Sequence, residues 1–132
     1  MARILVIDDE QYIRTALREV LEREGFRVST ARDGRKGLEL LEEEGADLVI
    51  TDVIMPGIDG VATLERIKAE HPDLPVIVIS GGGTVSPVDY EPGAISTSAY
   101  LASAAKAGAA CTLTKPFNRK ELINAVSNLL EA

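Results

Sequence analysis

A chain of 132 residues is long enough for one domain with a substantial core and short for two. Hydrophobic residues make up 45% of it, which argues against a disordered chain, and a formal charge of −7 leaves no basic surplus to neutralise nucleic-acid phosphates. A lone cysteine, Cys111, excludes an internal disulfide or a multi-cysteine metal site; no signal-peptide core or membrane-length apolar run occurs, so a cytoplasmic protein is expected.

The first strand is expected from Arg3 to Ile7, a buried run that ends abruptly at Asp8-Asp9-Glu10. Acids suit the positive end of a helix dipole, which accounts for one or two of the three. It does not account for crowding all of them beside a strand end. Ile13, Ala16, Leu17, Val20 and Leu21 then recur at helical spacing, and Gly25 closes that helix as a left-handed cap. Phe26, Val28 and Thr30 alternate with polar residues as in a strand with one wetter side. Asp33-Gly34 reads as a turn, and Leu38 with Leu41 forms the stripe of a second helix up to Gly45.

Leu48 to Ile50 is again of strand length and rich in β-branched residues, and the turn-forming stretch Met55-Pro56-Gly57-Ile58-Asp59-Gly60 cannot prolong it. Asp52 therefore stands where a buried strand gives way to a loop. The next helix carries Val61, Leu64 and Ile67 on one face and stops at His71-Pro72-Asp73-Leu74-Pro75, with His71 read as a loop residue. Val76 to Ile79 is a fourth strand ending at Ser80. Residues 81–98 form an atypical long connection with neither helical nor strand period, where about 2–6 residues are usual. A short alanine-rich helix, the fourth, is expected at Ala99 to Ala107, then a strand from Ala109 to Thr114, then Lys115-Pro116-Phe117. Leu122, Ile123, Val126, Leu129 and Leu130 mark a closing amphipathic helix.

Strand followed by helix five times over predicts a single α/β domain, residues 1–132, built on a five-stranded parallel sheet with helices on both faces. In such a sheet Asp8-Asp9-Glu10, Asp52, Ser80 and Lys115 gather at one edge, the carboxyl ends of the strands. Asp8, Asp9 and Asp52 together are costly without counter-charge. A divalent cation and the Lys115 ammonium balance them, and ligands that are all oxygen favour magnesium over zinc. So neutralised, Asp52 is able to attack an electron-poor phosphorus, with Lys115 and the Ser80 hydroxyl contacting the phosphoryl oxygens.

The set Asp8-Asp9, Asp52, Met55 to Gly60, Ser80 and Lys115-Pro116-Phe117 resembles the receiver domain of two-component response regulators, and the match extends over nearly the whole chain. The resemblance implies a flavodoxin-like doubly wound sheet of order 2-1-3-4-5. It implies Asp52 as phosphoacceptor; magnesium would be held by Asp9, Asp52 and the backbone carbonyl of Ile54, and by Asp8 through water. It further implies that a cis peptide before Pro116 aims Lys115 into the site. A histidine kinase or histidine phosphotransfer protein is the implied phosphate source, and a downstream protein the target, with no nucleic-acid or membrane partner. The chain would be no enzyme beyond its own phosphorylation and dephosphorylation.

Two departures stand out. Thr112 occupies the position where the family often has a switch tyrosine or phenylalanine, and the connection after Ser80 exceeds the family norm. Residues 81–98 are therefore expected to be a mobile readout element, with a passive insertion as the bland alternative. A stand-alone receiver is expected because no residues remain for an output domain, although a fragment of a longer chain fits as well. Other classes fit less well. A haloacid-type phosphatase carries Asp-x-Asp at its nucleophile, where Ile54 stands here, and a flavin carrier needs Ser, Thr and Gly after its first strand. A receiver-like adaptor that never takes phosphate is the main alternative.

Overall fold

Runs of leucine and β-branched residues make strands that must bury both faces, and a parallel sheet covered on two sides does so. The computed structural model describes residues 2–52, 60–80, 108–114 and 118–131. Its strands are β1 (Arg3–Ile7), β2 (Arg27–Ala31), β3 (Leu48–Asp52), β4 (Val76–Ser80) and β5 (Cys111–Thr114). All pair in parallel, in the order β2-β1-β3-β4-β5. The described helices are α1 (Gln11–Arg23), α2 (Gly34–Glu44), α3 (Gly60–Glu70) and, at the C-terminal end, α4 (Arg119–Glu131). The fold is the flavodoxin-like one expected. The connection at 81–98 and the helix expected at 99–107 lie outside the described residues. No helix among those described is long and apolar enough to cross a membrane.

Alternation along the strands divides the core into two layers. Ile4, Val6, Leu48, Ile50, Ile77 and Ile79 pack against Leu17 and Leu21 of α1 and Leu122 and Val126 of α4. Leu5, Ile7, Val49, Val76 and Val78 turn the other way, onto Leu41 of α2 and Leu64 and Ile67 of α3. Asp47 helps to set the β1–β3 register at the amino edge: its Oδ2 accepts from the Arg3 N–H at 2.8 Å, and its own N–H donates to the Arg3 carbonyl at 2.7 Å.

Helix ends follow local chemistry. Gly25 takes φ +95° after α1 and donates to the Glu22 carbonyl at 3.0 Å, the cap expected there. Asn118 and Glu121 form a capping box at the start of α4. Asn118 Oδ1 accepts from the Glu121 N–H at 2.8 Å, and Glu121 Oε1 accepts from the Asn118 N–H at 3.3 Å. His71 follows α3 in the loop, its N–H donating to the Ile67 carbonyl at 2.7 Å.

Three local expectations need correction. Asp33-Gly34 is no free-standing turn but the start of α2, with Asp33 Oδ1 accepting the Lys36 N–H at 2.8 Å as N-cap. Gly34 and Gly37 are buried on that helix because α2 lies too close to its neighbours for side chains there. A Cβ on Gly34 would overlap Thr63 of α3, and one on Gly37 would overlap Ile7 of β1. Ala16, expected on the apolar stripe of α1, is exposed, one position off the Leu17–Leu21 line. The last strand begins at Cys111 rather than Ala109, since Gly108 turns the chain at φ +108° and the two alanines complete the approach to the sheet.

Candidate functional site

The sheet order reverses direction between β1 and β3, and a crevice opens at the carboxyl ends of two such strands. Ile7 pairs with Thr51 at the end of their ladder, so the next residues, Asp8 and Asp52, come abreast. Both are nearly enclosed, 1% and 3% exposed. Carboxylates that deep require compensating charge or hydrogen bonds. Thr51, also buried, turns its hydroxyl to the Asp52 carbonyl at 3.2 Å. Asp52 is paired in turn with Ile79, and Ser80, one row further out, with Thr114 of β5.

The turn after β1 is tied down at Asp8. The Asp8 N–H donates to the Ala31 carbonyl at the end of β2 (3.0 Å), Asp8 Oδ1 accepts from the Glu10 N–H (2.9 Å), and the Asp8 carbonyl accepts from Arg14 Nη1 (2.7 Å). Glu10 is the N-cap of α1 but makes no side-chain cap bond; its carbonyl instead accepts from the N–H groups of Ile13 and Arg14. The carboxylates are thereby left to converge on one another. Oxygen atoms of Asp8, Asp9 and Glu10 lie within 4.8 Å of each other, graded from buried through half-buried Glu10 to exposed Asp9. An all-oxygen cluster of this kind, open to water on one side, fits a hard divalent cation that keeps part of its hydration.

Of the residues singled out in the sequence, the structure clusters the carboxylates of Asp8 and Asp9, brings Asp52 abreast of Asp8 by strand register, and carries Ser80 to the end of the neighbouring β4. Thr112 is exposed on β5, paired with Val78 and two residues short of the strand end. Ile54, Lys115 and Pro116 lie outside the described residues. Two further residues border the site. Glu10 brings a third carboxylate into the group formed by Asp8 and Asp9, and Arg14 reaches the Asp8 carbonyl from α1. One signal for Arg14 was present: a cation in the first turns of a helix opposes the dipole and needs another partner.

The family model of the response regulator receiver domain matches residues 4–89. Among curated proteins, the chain is 34% identical over 128 residues to the response regulator MprA of Mycolicibacterium vanbaalenii, covering 97% of this chain and 50% of that protein. It is 35% identical over 130 residues to the transcriptional regulatory protein CpxR of Escherichia coli K12, covering 98% and 50%. The chain thus spans about half the length of these relatives. The crystal structure of the receiver domain of NtrX from Brucella abortus superposes with a TM-score of 0.82 at 36% identity, covering 98% of both chains. A receiver domain protein from Clostridium thermocellum gives 0.79 at 33% identity, covering 99% of this chain and 95% of that one.

Proposed function

The chain belongs to the response regulator receiver family, and from that premise we propose that Asp52 accepts a phosphoryl group from a phosphohistidine on a kinase or phosphotransfer protein. The observation that carries the reading is the placement of Asp52 abreast of Asp8, both buried, with Asp9 and Glu10 converging beside them. A carboxylate oxygen of Asp52 attacks phosphorus in line with the departing imidazole. The new O–P bond forms as the P–N bond breaks, and the imidazole leaves with its electron pair and takes a proton from solvent.

Asp9 and Asp52, with the Ile54 carbonyl and Asp8 through water, are the residues proposed to hold magnesium; when bound, the ion supplies positive charge to the transferring phosphoryl oxygens. Asp8 and Asp9 orient that charge from the β1 turn. The Lys115 ammonium and the Ser80 hydroxyl donate to the remaining phosphoryl oxygens, and Pro116 sets the direction of Lys115. Water attacking the phosphoryl group in the same frame returns Asp52 and releases phosphate, so the only reactions catalysed are the chain's own. Output passes through contacts with a downstream protein in the cytoplasm, and Thr112 leaves no aromatic for the family's usual switch.

Incubation with magnesium and acetyl phosphate, followed by intact-mass measurement, is the test. One added phosphoryl group is expected, absent in Asp52→Asn and in the presence of chelator. No mass shift under saturating donor would replace this reading with that of an adaptor that works without phosphate.

A further inference from the structure

Arg14 of α1 grips the acidic turn through its main chain. Its guanidinium, half-buried, donates to the Asp8 carbonyl at 2.7 Å. Asp8 is also held by its N–H, which donates to the Ala31 carbonyl at 3.0 Å, and by its Oδ1, which accepts from the Glu10 N–H at 2.9 Å. The Arg14 bond restrains the peptide plane between Asp8 and Asp9, from which the Asp9 side chain departs.

We propose that Arg14 is a positioning residue, holding the Asp8-Asp9-Glu10 turn in the converged shape that takes a divalent cation. The proposal rests on the receiver reading given above. Arg14 acts in two opposed ways. As a positive charge it repels a cation and lowers affinity; as a clamp it keeps together three acids that otherwise spread apart by mutual repulsion. The clamp outweighs the charge, because the guanidinium is engaged with a neutral carbonyl and its outer side is screened by water. The sign of the effect on metal binding therefore separates positioning from simple electrostatics.

Arg14→Ala, Arg14→Gln and Arg14→Lys are titrated with magnesium chloride by isothermal calorimetry, and each is melted in chelator. The alanine and glutamine variants are expected to bind magnesium about three- to tenfold more weakly than the wild type, the loss of one charge-assisted clamp. The lysine variant keeps the charge and one donor and stays within about twofold. Metal-free melting changes little in all three, as a merely structural role would not predict. Magnesium affinity in Arg14→Ala equal to or above wild type overturns the positioning role and leaves the acceptor reading standing. Should the alanine variant not fold, the lysine and glutamine variants decide, and equal affinity in that pair overturns it. A wild-type protein that binds no magnesium overturns both readings together.

Discussion

Asp8 and Asp52 end neighbouring strands with almost no exposure, so the charges around them govern what the site can bind and transfer. Arg14 and Lys115 are both cations in the proposed site, yet they are assigned opposite consequences. Arg14 shapes the turn through a carbonyl, whereas Lys115 is proposed to meet the phosphoryl oxygens. Lys115→Ala is accordingly expected to bind magnesium at least as tightly as the wild type, since a competing positive charge has left an acidic site. Its phosphorylation by acetyl phosphate should nevertheless slow by about a hundredfold, the scale of losing one electrostatic contact to a transferring group. Calorimetry with magnesium beside a phosphorylation time course tests both halves. A collapse of magnesium affinity in this variant would instead make Lys115 part of the site's architecture.

At the scale of elements, α2 is seated by what it lacks. Gly34 and Gly37 bring its backbone against Thr63 of α3 and Ile7 of β1, leaving no room for a Cβ at either position. Gly34→Ala therefore sets helix propensity against packing. Alanine gains at most about 1 kcal/mol in a helix. Forcing a methyl into a close-packed contact costs about 1–3 kcal/mol. With Thr63 fully buried and its Cβ only 3.2 Å from the added atom, packing should win, for a net loss of about 1–2 kcal/mol. Urea unfolding measures it, and the Gly34→Ala, Thr63→Ala pair should be less destabilised than the sum of the single changes because they share one contact. A Gly34→Ala protein as stable as the wild type would contradict the close approach of α2 and α3.

For the whole molecule, folding gathers acids of a −7 chain at one sheet edge, where they repel in the native state more than in the unfolded one. A cation bound there should stabilise the fold by mass action. At ten times its dissociation constant, magnesium adds about 1.4 kcal/mol. For a domain of this size that is a rise of roughly 3–7 °C in the melting midpoint. Asp9→Asn should melt higher than the wild type in chelator, because one of the crowded charges is gone, and gain less from magnesium. Calorimetric melts with sodium chloride matched for ionic strength supply the control. An equal rise in the sodium salt would trace the effect to screening and remove the evidence for a specific site.

The sequence by itself determined the identity and order of the described strands and helices, since each rests on a local period or a local cap: Ile4 to Ile7, Leu48 to Ile50, Leu17 with Leu21, Gly25. It also singled out Asp8, Asp9 and Asp52, because acids directly after buried strands have no ordinary structural use in such numbers. Tertiary structure alone decided what depends on distances between segments far apart in the chain. The β1–β3 register, with Ile7 on Thr51, sets Asp8 beside Asp52 rather than a residue away. The approach of α2 to α3 makes Gly34 a contact residue instead of a turn former. The packing of α1 through Leu17 and Leu21 leaves Ala16 in water and carries Arg14 to the Asp8 carbonyl. Periodicity says which face of a helix is apolar; only packing says which carbonyl an arginine on its margin will meet.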